Sequence, residues 1–172
     1  RIEAVERLYE AMKNSLKEWP VYGYTEIVAD TINQIRYSPD IQEKMKFQHE
    51  KNFEIYARDA ATRAQVRAKQ TKTQTDYRLA ISAYKASLWA FGPDVSGNNR
   101  NKNGARYSNA IRLNLAESYF NLKDYVNAGK EYERLAKEIR HSVKRKSYLD
   151  SSIESYTLAL KNPEALNRTE LA

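Results

Sequence analysis

A stretch of the chain occurs twice in related form. Residues 76 to 88 read DYRLAISAYKASL and residues 124 to 136 read DYVNAGKEYERLA, with Asp, Tyr, Ala and Tyr repeated at an offset of 48 residues. In both copies apolar residues recur every three or four positions, which predicts an amphipathic helix that cannot bury its apolar face alone. A helical unit repeated along a chain indicates an array in which neighbours cover each other's apolar faces. The repeat therefore predicts an all-α fold built from stacked helical units.

The second copy lies within a longer stretch, residues 114 to 137, that is typical of a helical hairpin. A short turn around Asp124 separates two segments that each have one apolar face and one charged face. The residues that form the apolar faces are Leu115, Tyr119 and Leu122 before the turn, and Tyr125, Ala128, Tyr132 and Leu135 after it. We expect two helices here, stacked on neighbouring helices.

This hairpin resembles the tetratricopeptide repeat. The family has a signature leucine, small residue, tyrosine, turn aspartate, second tyrosine, alanine and aromatic residue, and the corresponding residues here are Leu115, Ala116, Tyr119, Asp124, Tyr125, Ala128 and Tyr132. The chain departs from the pattern at Arg112, where tryptophan is frequent, at Lys123, where glycine is usual, and also at Leu135 and Arg140. The resemblance covers roughly residues 50 to 160 and implies a right-handed α-solenoid of antiparallel helical hairpins.

The resemblance divides the chain into two parts, residues 1–49 and residues 50–172. We expect the first part to be helical, as a truncated or degenerate repeat, and the second to hold the tetratricopeptide-like repeats. The offset of 48 residues exceeds the 34-residue period of that family. Part of the surplus is expected in an inserted loop at 92–104, GPDVSGNNRNKNG, which is rich in glycine and asparagine.

One helix is predicted to be unusually long, over about residues 40–70, where no glycine or proline interrupts the chain. Helices of globular proteins average about 11–12 residues. Upstream of it, Thr25 is expected to cap one helix, and Ser38 followed by Pro39 is expected to end that helix and cap the next. The apolar face of the long helix ends in small residues that allow a neighbour to approach closely, namely Ala60, Ala64 and Ala68.

The net charge of +7 is concentrated in the middle of the chain, residues 61–106. This segment has nine Lys and Arg against two Asp and Glu, which equals the whole excess. A local basic surface predicts an acidic partner. The residues predicted to form the basic surface are Arg63, Arg67, Lys69, Lys72, Arg100, Lys102 and Arg106, and the same helical hairpin also carries Arg78 and Lys85. One alternative function is therefore a basic helical-repeat adaptor that binds nucleic acid through this surface, although no recognised nucleic-acid motif accompanies it.

Catalytic chemistry has little support in the sequence. The chain has no cysteine and two histidines, and it lacks a glycine-rich phosphate loop and an HExxH motif. His49 lies on the apolar stripe of the long helix, where we expect a partly buried structural residue. We therefore expect no enzyme activity, no catalytic residue, no metal site and no cofactor.

Protein binding is the function that the resemblance implies. In tetratricopeptide arrays the first helices of successive hairpins line a groove that holds an extended peptide or a partner helix. The predicted groove residues are Asn114, Glu117, Phe120 and Asn121, together with Ala110 and Leu113 on the same helix face. Phe120 is the expected anchor if it is exposed, and the alternative is that it packs against the next helix.

We therefore expect a non-catalytic scaffold that forms part of a larger protein or multiprotein assembly. The chain begins without methionine and within a predicted helix, so we expect it to be a fragment or a processed product. No run approaches the roughly 18 apolar residues of a membrane span, and we expect no direct membrane insertion by this segment. The missing cysteines and the basic charge slightly favour a bacterial periplasm or cell envelope over cytoplasm, and the compartment stays open.

Overall fold

A computed structural model describes residues 1–14, 23–92 and 102–162, with the backbone alone for residues 102–106. Within these ranges the chain forms seven α-helices and no strand, so the all-α prediction is confirmed for the described part. The helices are α1 (Ile2–Asn14), α2 (Tyr24–Tyr37), α3 (Glu43–Thr71), α4 (Gln74–Phe91), α5 (Lys102–Leu122), α6 (Tyr125–Glu138) and α7 (Ser142–Lys161).

The long helix is present as α3, which has 29 residues. Ser38 ends α2 as its C-cap, as predicted, but it does not cap α3, which begins at Glu43 after the N-cap residue Gln42. Thr25 is not a cap either. Helix α2 begins one residue earlier, after Gly23, whose backbone has a left-handed conformation with φ of 76° that glycine adopts readily.

The alanine-lined face of α3 is buried, as predicted. Helices α2, α4 and α5 all pack against α3, and α2 also contacts α4. Small side chains permit this crowding because they let neighbouring backbones approach closely. The buried alanines of α3 are Ala57, Ala60, Ala61, Ala64 and Ala68.

Helices α3 to α7 pack in chain order, each against the next. The described residues form three hydrophobic clusters, each with its own buried residues. The first cluster joins α1, α2 and α3 to the end of α4, the second joins α3, α4 and α5, and the third joins α5 and α6 to Tyr148 of α7. The apolar core is therefore distributed along the chain, and α3, α4 and α5 each contribute to two clusters.

The predicted loop at 92–104 is too long at its C-terminal end. Helix α4 ends at Phe91 and α5 already begins at Lys102, so residues 102–104 are helical. Extending an existing helix through Gly104 costs only about 1 kcal/mol relative to alanine, which is far less than starting a new helix. Residues 93–101 lie outside the described ranges, as do the predicted helix end at Trp19-Pro20 and the last segment, 163–172.

The two copies of the repeat have matching burial. Ala80 and Ala128 are both fully buried, and the following tyrosines, Tyr84 and Tyr132, are buried as well. The helix starts do not match, because α4 begins two residues before Asp76 whereas α6 begins one residue after Asp124. Helix α4 thus has nearly one additional turn at its N-terminus.

Helix α7 crosses α6 at Gly129, which is buried. A Cβ atom added at Gly129 would lie 2.7 Å from Cε1 of Tyr156. The carbonyl oxygen of Gly129 accepts a hydrogen bond from Ser152 Oγ at 3.0 Å, and Tyr156 donates its hydroxyl to Glu133 Oε2 at 3.3 Å. The missing side chain therefore lets the Tyr156 ring lie against the backbone of α6.

We expect Gly129→Ala to lower the free energy of unfolding by roughly 1–2 kcal/mol, because the new methyl group displaces the Tyr156 ring. In a Tyr156→Ala background the same change should instead raise it by about 0.5–1 kcal/mol, which is the helix propensity of alanine over glycine. Urea denaturation of the four proteins measures both effects. An equal decrease in the two backgrounds would show that Tyr156 is not the cause.

Candidate protein-binding surface

Helix α5 has a buried face and an open face. Its buried face includes Ile111 and Leu115 of the second cluster, Ala116 of the third cluster and the buried Ser118. Every predicted groove position on α5 is half-buried or exposed: Ala110, Leu113, Asn114, Glu117, Phe120 and Asn121. The structure therefore places these six residues together on a helix face that the described residues leave at least partly open.

Two of the groove residues are tied to α3. Gln65 Nε2 donates a hydrogen bond to the backbone carbonyl of Asn114 at 3.1 Å, and Lys69 Nζ lies 3.0 Å from Glu117 Oε2. Gln65 is itself buried, and its Oε1 accepts a hydrogen bond from Tyr84 at 3.0 Å. Burial raises the pKa of Tyr84 to about 12, so its hydroxyl stays protonated at neutral pH. The position of α5 on α3 is thus set by a satisfied polar link.

Phe120 is half-buried and packs within its own hairpin. Its ring meets the ring of Tyr125, the first residue of α6, edge-on with 5.3 Å between centroids. The side chain of Asn121 turns back and donates a hydrogen bond to the carbonyl of Glu117 at 2.7 Å. Phe120 is therefore only partly available to a partner. This result lies between an exposed anchor and a side chain packed against the next helix, the two outcomes expected from the sequence.

An ion-pair network on the opposite side of α5 was not predicted from the sequence. Arg112 is buried, with Nη1 2.9 Å from Glu131 Oε2 and Nη2 3.5 Å from Glu138 Oε1. Glu131 also lies 3.0 Å from Arg134 Nη1. The available signal in the sequence was that Arg112 lies three residues before Leu115, and therefore on the predicted apolar face of this helix. The network joins α5 to α6 and so orients the open face of α5.

We expect Glu131→Ala to cost roughly 3 kcal/mol of stability, because it leaves the buried Arg112 guanidinium with a single, longer contact to Glu138. In an Arg112→Met background the same substitution should cost much less, because no unpaired buried cation remains. A double-mutant cycle by chemical denaturation measures the coupling. Glu10→Ala is the control, since it removes an exposed pair with Lys13 and should cost under about 1 kcal/mol. Additive effects of the two buried substitutions would contradict this account.

Three of the predicted basic residues are paired with carboxylates, whereas Lys72, Arg78 and Lys85 are exposed. Arg63 Nε lies 2.8 Å from Asp59, Arg67 Nε 3.2 Å from Asp76, and Lys69 is the residue paired with Glu117. Lys72 is exposed at the C-cap of α3, in a left-handed conformation with φ of 54°. Arg100 lies outside the described residues, and Lys102 and Arg106 lie on α5 with only their backbone described.

Asp76, in the first turn of α4, accepts the hydrogen bonds that hold the connection between α3 and α4. Its Oδ2 accepts hydrogen bonds from Thr71 Oγ1 at 2.6 Å and Thr73 Oγ1 at 2.9 Å, and Arg67 lies at its other oxygen. Thr73 is also the N-cap of α4, accepting from the Asp76 amide. The hydrogen bond from Thr71 holds the pKa of Asp76 below its usual value, and Thr73 and Arg67 act in the same direction against burial.

The lowered pKa of Asp76 gives a pH-dependent contribution to stability. The contribution is present above the unfolded-state pKa of about 4 and is lost as the pH falls through the lower folded-state value. We expect Asp76→Asn to cost roughly 1.5–3 kcal/mol at pH 7, because charge-assisted hydrogen bonds are lost. The difference from the unsubstituted protein should shrink at acid pH. Urea denaturation between pH 7 and 2.5 tests this, and a difference independent of pH would refute it.

The described residues contain no group of three or more metal-ligating His, Cys, Asp or Glu side chains. None of the helices within these ranges is long and apolar enough to cross a membrane. His49 is partly buried, with Nδ1 3.9 Å from Glu6 and its ring tilted against Phe53, as expected of a structural residue. Comparisons with protein-family models, curated proteins and solved structures found no match to this chain.

Proposed function

We propose that this chain is a non-catalytic scaffold for protein–protein interaction, in which the open face of α5 binds a peptide or a helix of a partner protein. The observation that carries the proposal is the division of α5 into a buried face and an open face that includes Leu113 and Phe120. Aromatic side chains are enriched at the cores of interfaces, so a half-exposed Phe120 is a candidate anchor for a partner.

The proposed arrangement is a right-handed, tetratricopeptide-like stack of antiparallel hairpins, α3 with α4 and α5 with α6, followed by α7. Its support is the packing of consecutive helices and the contact between α3 and α5, the first helices of the two hairpins. Lys69 and Gln65 on α3 lie beside Glu117 and Asn114 on α5, so a ligand on α5 would also meet α3. We place this scaffold in a larger assembly, with a bacterial cell envelope as the favoured location.

Nucleic-acid binding through residues 61–106 has weaker physical support. Three of its predicted cations, Arg63, Arg67 and Lys69, already lie within hydrogen-bonding distance of carboxylates. A phosphate would have to displace these carboxylates before counterion release could favour binding.

Site-specific crosslinking tests the proposal. A photo-reactive amino acid at Asn121, on the open face of α5, should capture a defined partner in cells of the source organism. The same group at Lys130, exposed on α6, should not capture it. Asn114→Ala with Phe120→Ala should weaken binding of the captured partner at least about tenfold, since interface energy is concentrated in few residues.

Two controls separate lost contacts from lost folding. Asn114→Ala with Asn121→Ala leaves the packing of Phe120 and the ion pair of Glu117 with Lys69 intact, and should weaken binding at an unchanged melting temperature. Ile153→Ala, at an exposed apolar position on α7, should leave binding unchanged. If both α5 variants retain the partner, or if the photo-reactive group at Lys130 captures it equally well, the open face of α5 is not the binding surface.

A further inference from the structure

A second open surface lies between α2 and α4, away from the face of α5. It is a groove of about 630 Å³. Its lining residues are Glu26, Ala29, Asp30, Arg78, Ile81, Ser82, Lys85, Ala86 and Trp89. Trp89 is 52% exposed, although tryptophan is among the side chains with most to gain from burial. An exposed tryptophan at the edge of an apolar groove is a candidate anchor for a partner.

The two helices that form the groove run in the same direction. Ser82, in the middle of α4, donates its hydroxyl to the carboxylate of Glu26 near the start of α2. At the other end, the Arg36 guanidinium lies over the Phe91 ring, 5.8 Å from its centroid, so the C-terminal ends of both helices meet. The groove therefore runs between two helices that point in the same direction.

The two walls of the groove, formed by α2 and α4, carry opposite charges. Glu26 and Asp30 are four residues apart on α2, and Arg78 and Lys85 are seven residues apart on α4, so each pair shares one helix face. Asp30, Arg78 and Lys85 have no ion-pair partner within 4 Å among the described side chains. Unlike the cations on α3, these charges are available to a ligand.

We propose that this groove binds an amphipathic helix of a partner protein. The ligand helix places apolar side chains against Ile81 and Trp89, basic side chains along α2 and acidic side chains along α4. A helix fits because its apolar ridge and its two flanking rows of charge repeat with the same spacing as the walls. A nucleic acid does not fit, because its phosphates would meet Glu26 and Asp30. The inference does not rest on the α5 face, so either surface can fail its test alone.

The probe is a designed, fluorescently labelled peptide of about five helical turns. One edge of its apolar face carries lysines and the other carries glutamates, and a second peptide has lysines on both edges. Fluorescence anisotropy should show binding of the mixed-edge peptide to the full chain. In a Trp19→Phe background, the emission of Trp89 should shift to the blue as the ligand covers it.

Substitutions in the protein then test the anchor and the charges. Trp89→Ala should weaken the mixed-edge peptide at least about tenfold. Arg78→Glu with Lys85→Glu makes both walls acidic. The affinity for the all-lysine peptide should then rise about tenfold, and the affinity for the mixed-edge peptide should fall. Both positions are exposed on α4, and a glutamate near the helix N-terminus is compatible with the helix dipole.

Leu160→Ala, at an exposed apolar position on α7, is the matched control for Trp89→Ala and should not change binding. Equal binding of both peptides by the charge-reversed protein would overturn the assignment of the walls. Peptide binding unaffected by Trp89→Ala would overturn the site. If the chain self-associates and Trp89→Ala abolishes that self-association, the occupant of the groove is a second copy of this chain. That result would contradict the proposed ligand.

Discussion

Helix α3 packs against α1, α2, α4 and α5, and most of the residues that it buries are alanines. A larger side chain at Ala61 or Ala64, which are buried in the second cluster, would displace packed neighbours, since interiors are close-packed and cannot absorb added methylenes without strain. The same crowding leaves little room for polar groups. Gln65 is buried between these alanines, and it is tolerated because both Tyr84 and the Asn114 carbonyl satisfy its amide. The positions of α4 and α5, and hence of both candidate surfaces, follow from this packing.

The periodicity of the sequence predicted the helices well, since an apolar stripe at helical spacing is a local signal. Helix starts were predicted poorly. Thr25 and Ser38 have suitable side chains for capping, yet the glycine at position 23 and the turn after Pro39 decided where α2 and α3 begin. The pairing of Arg112 with Glu131 joins residues 19 positions apart, and no local pattern specifies it. The charged groove between α2 and α4 was missed for the same reason.

The ion pairs show that the net charge of segment 61–106 is a poor measure of its basic surface. The segment 61–106 holds the whole excess of positive charge, but two of the carboxylates that neutralise part of it, Asp59 and Glu117, come from outside that segment. A linear count therefore overstates the basic surface. Arg78 and Lys85 belong to the same segment, but they face a pair of carboxylates on α2 across an open groove. Their charge is usable for recognition of a ligand that carries both signs.

The three hydrophobic clusters have a consequence for cooperativity. Helix α4 contributes Phe91 to the first cluster and Tyr84 to the second, and α5 likewise links the second to the third. Opening of α6 and α7 would break the third cluster while the first stayed intact, so hydrogen exchange should be graded along the chain rather than uniform. Ligand binding at the N-terminal end would protect distant amides only to the extent that α3, α4 and α5 transmit the stabilisation. These shared helices therefore determine whether the chain responds to a partner as one unit or as several.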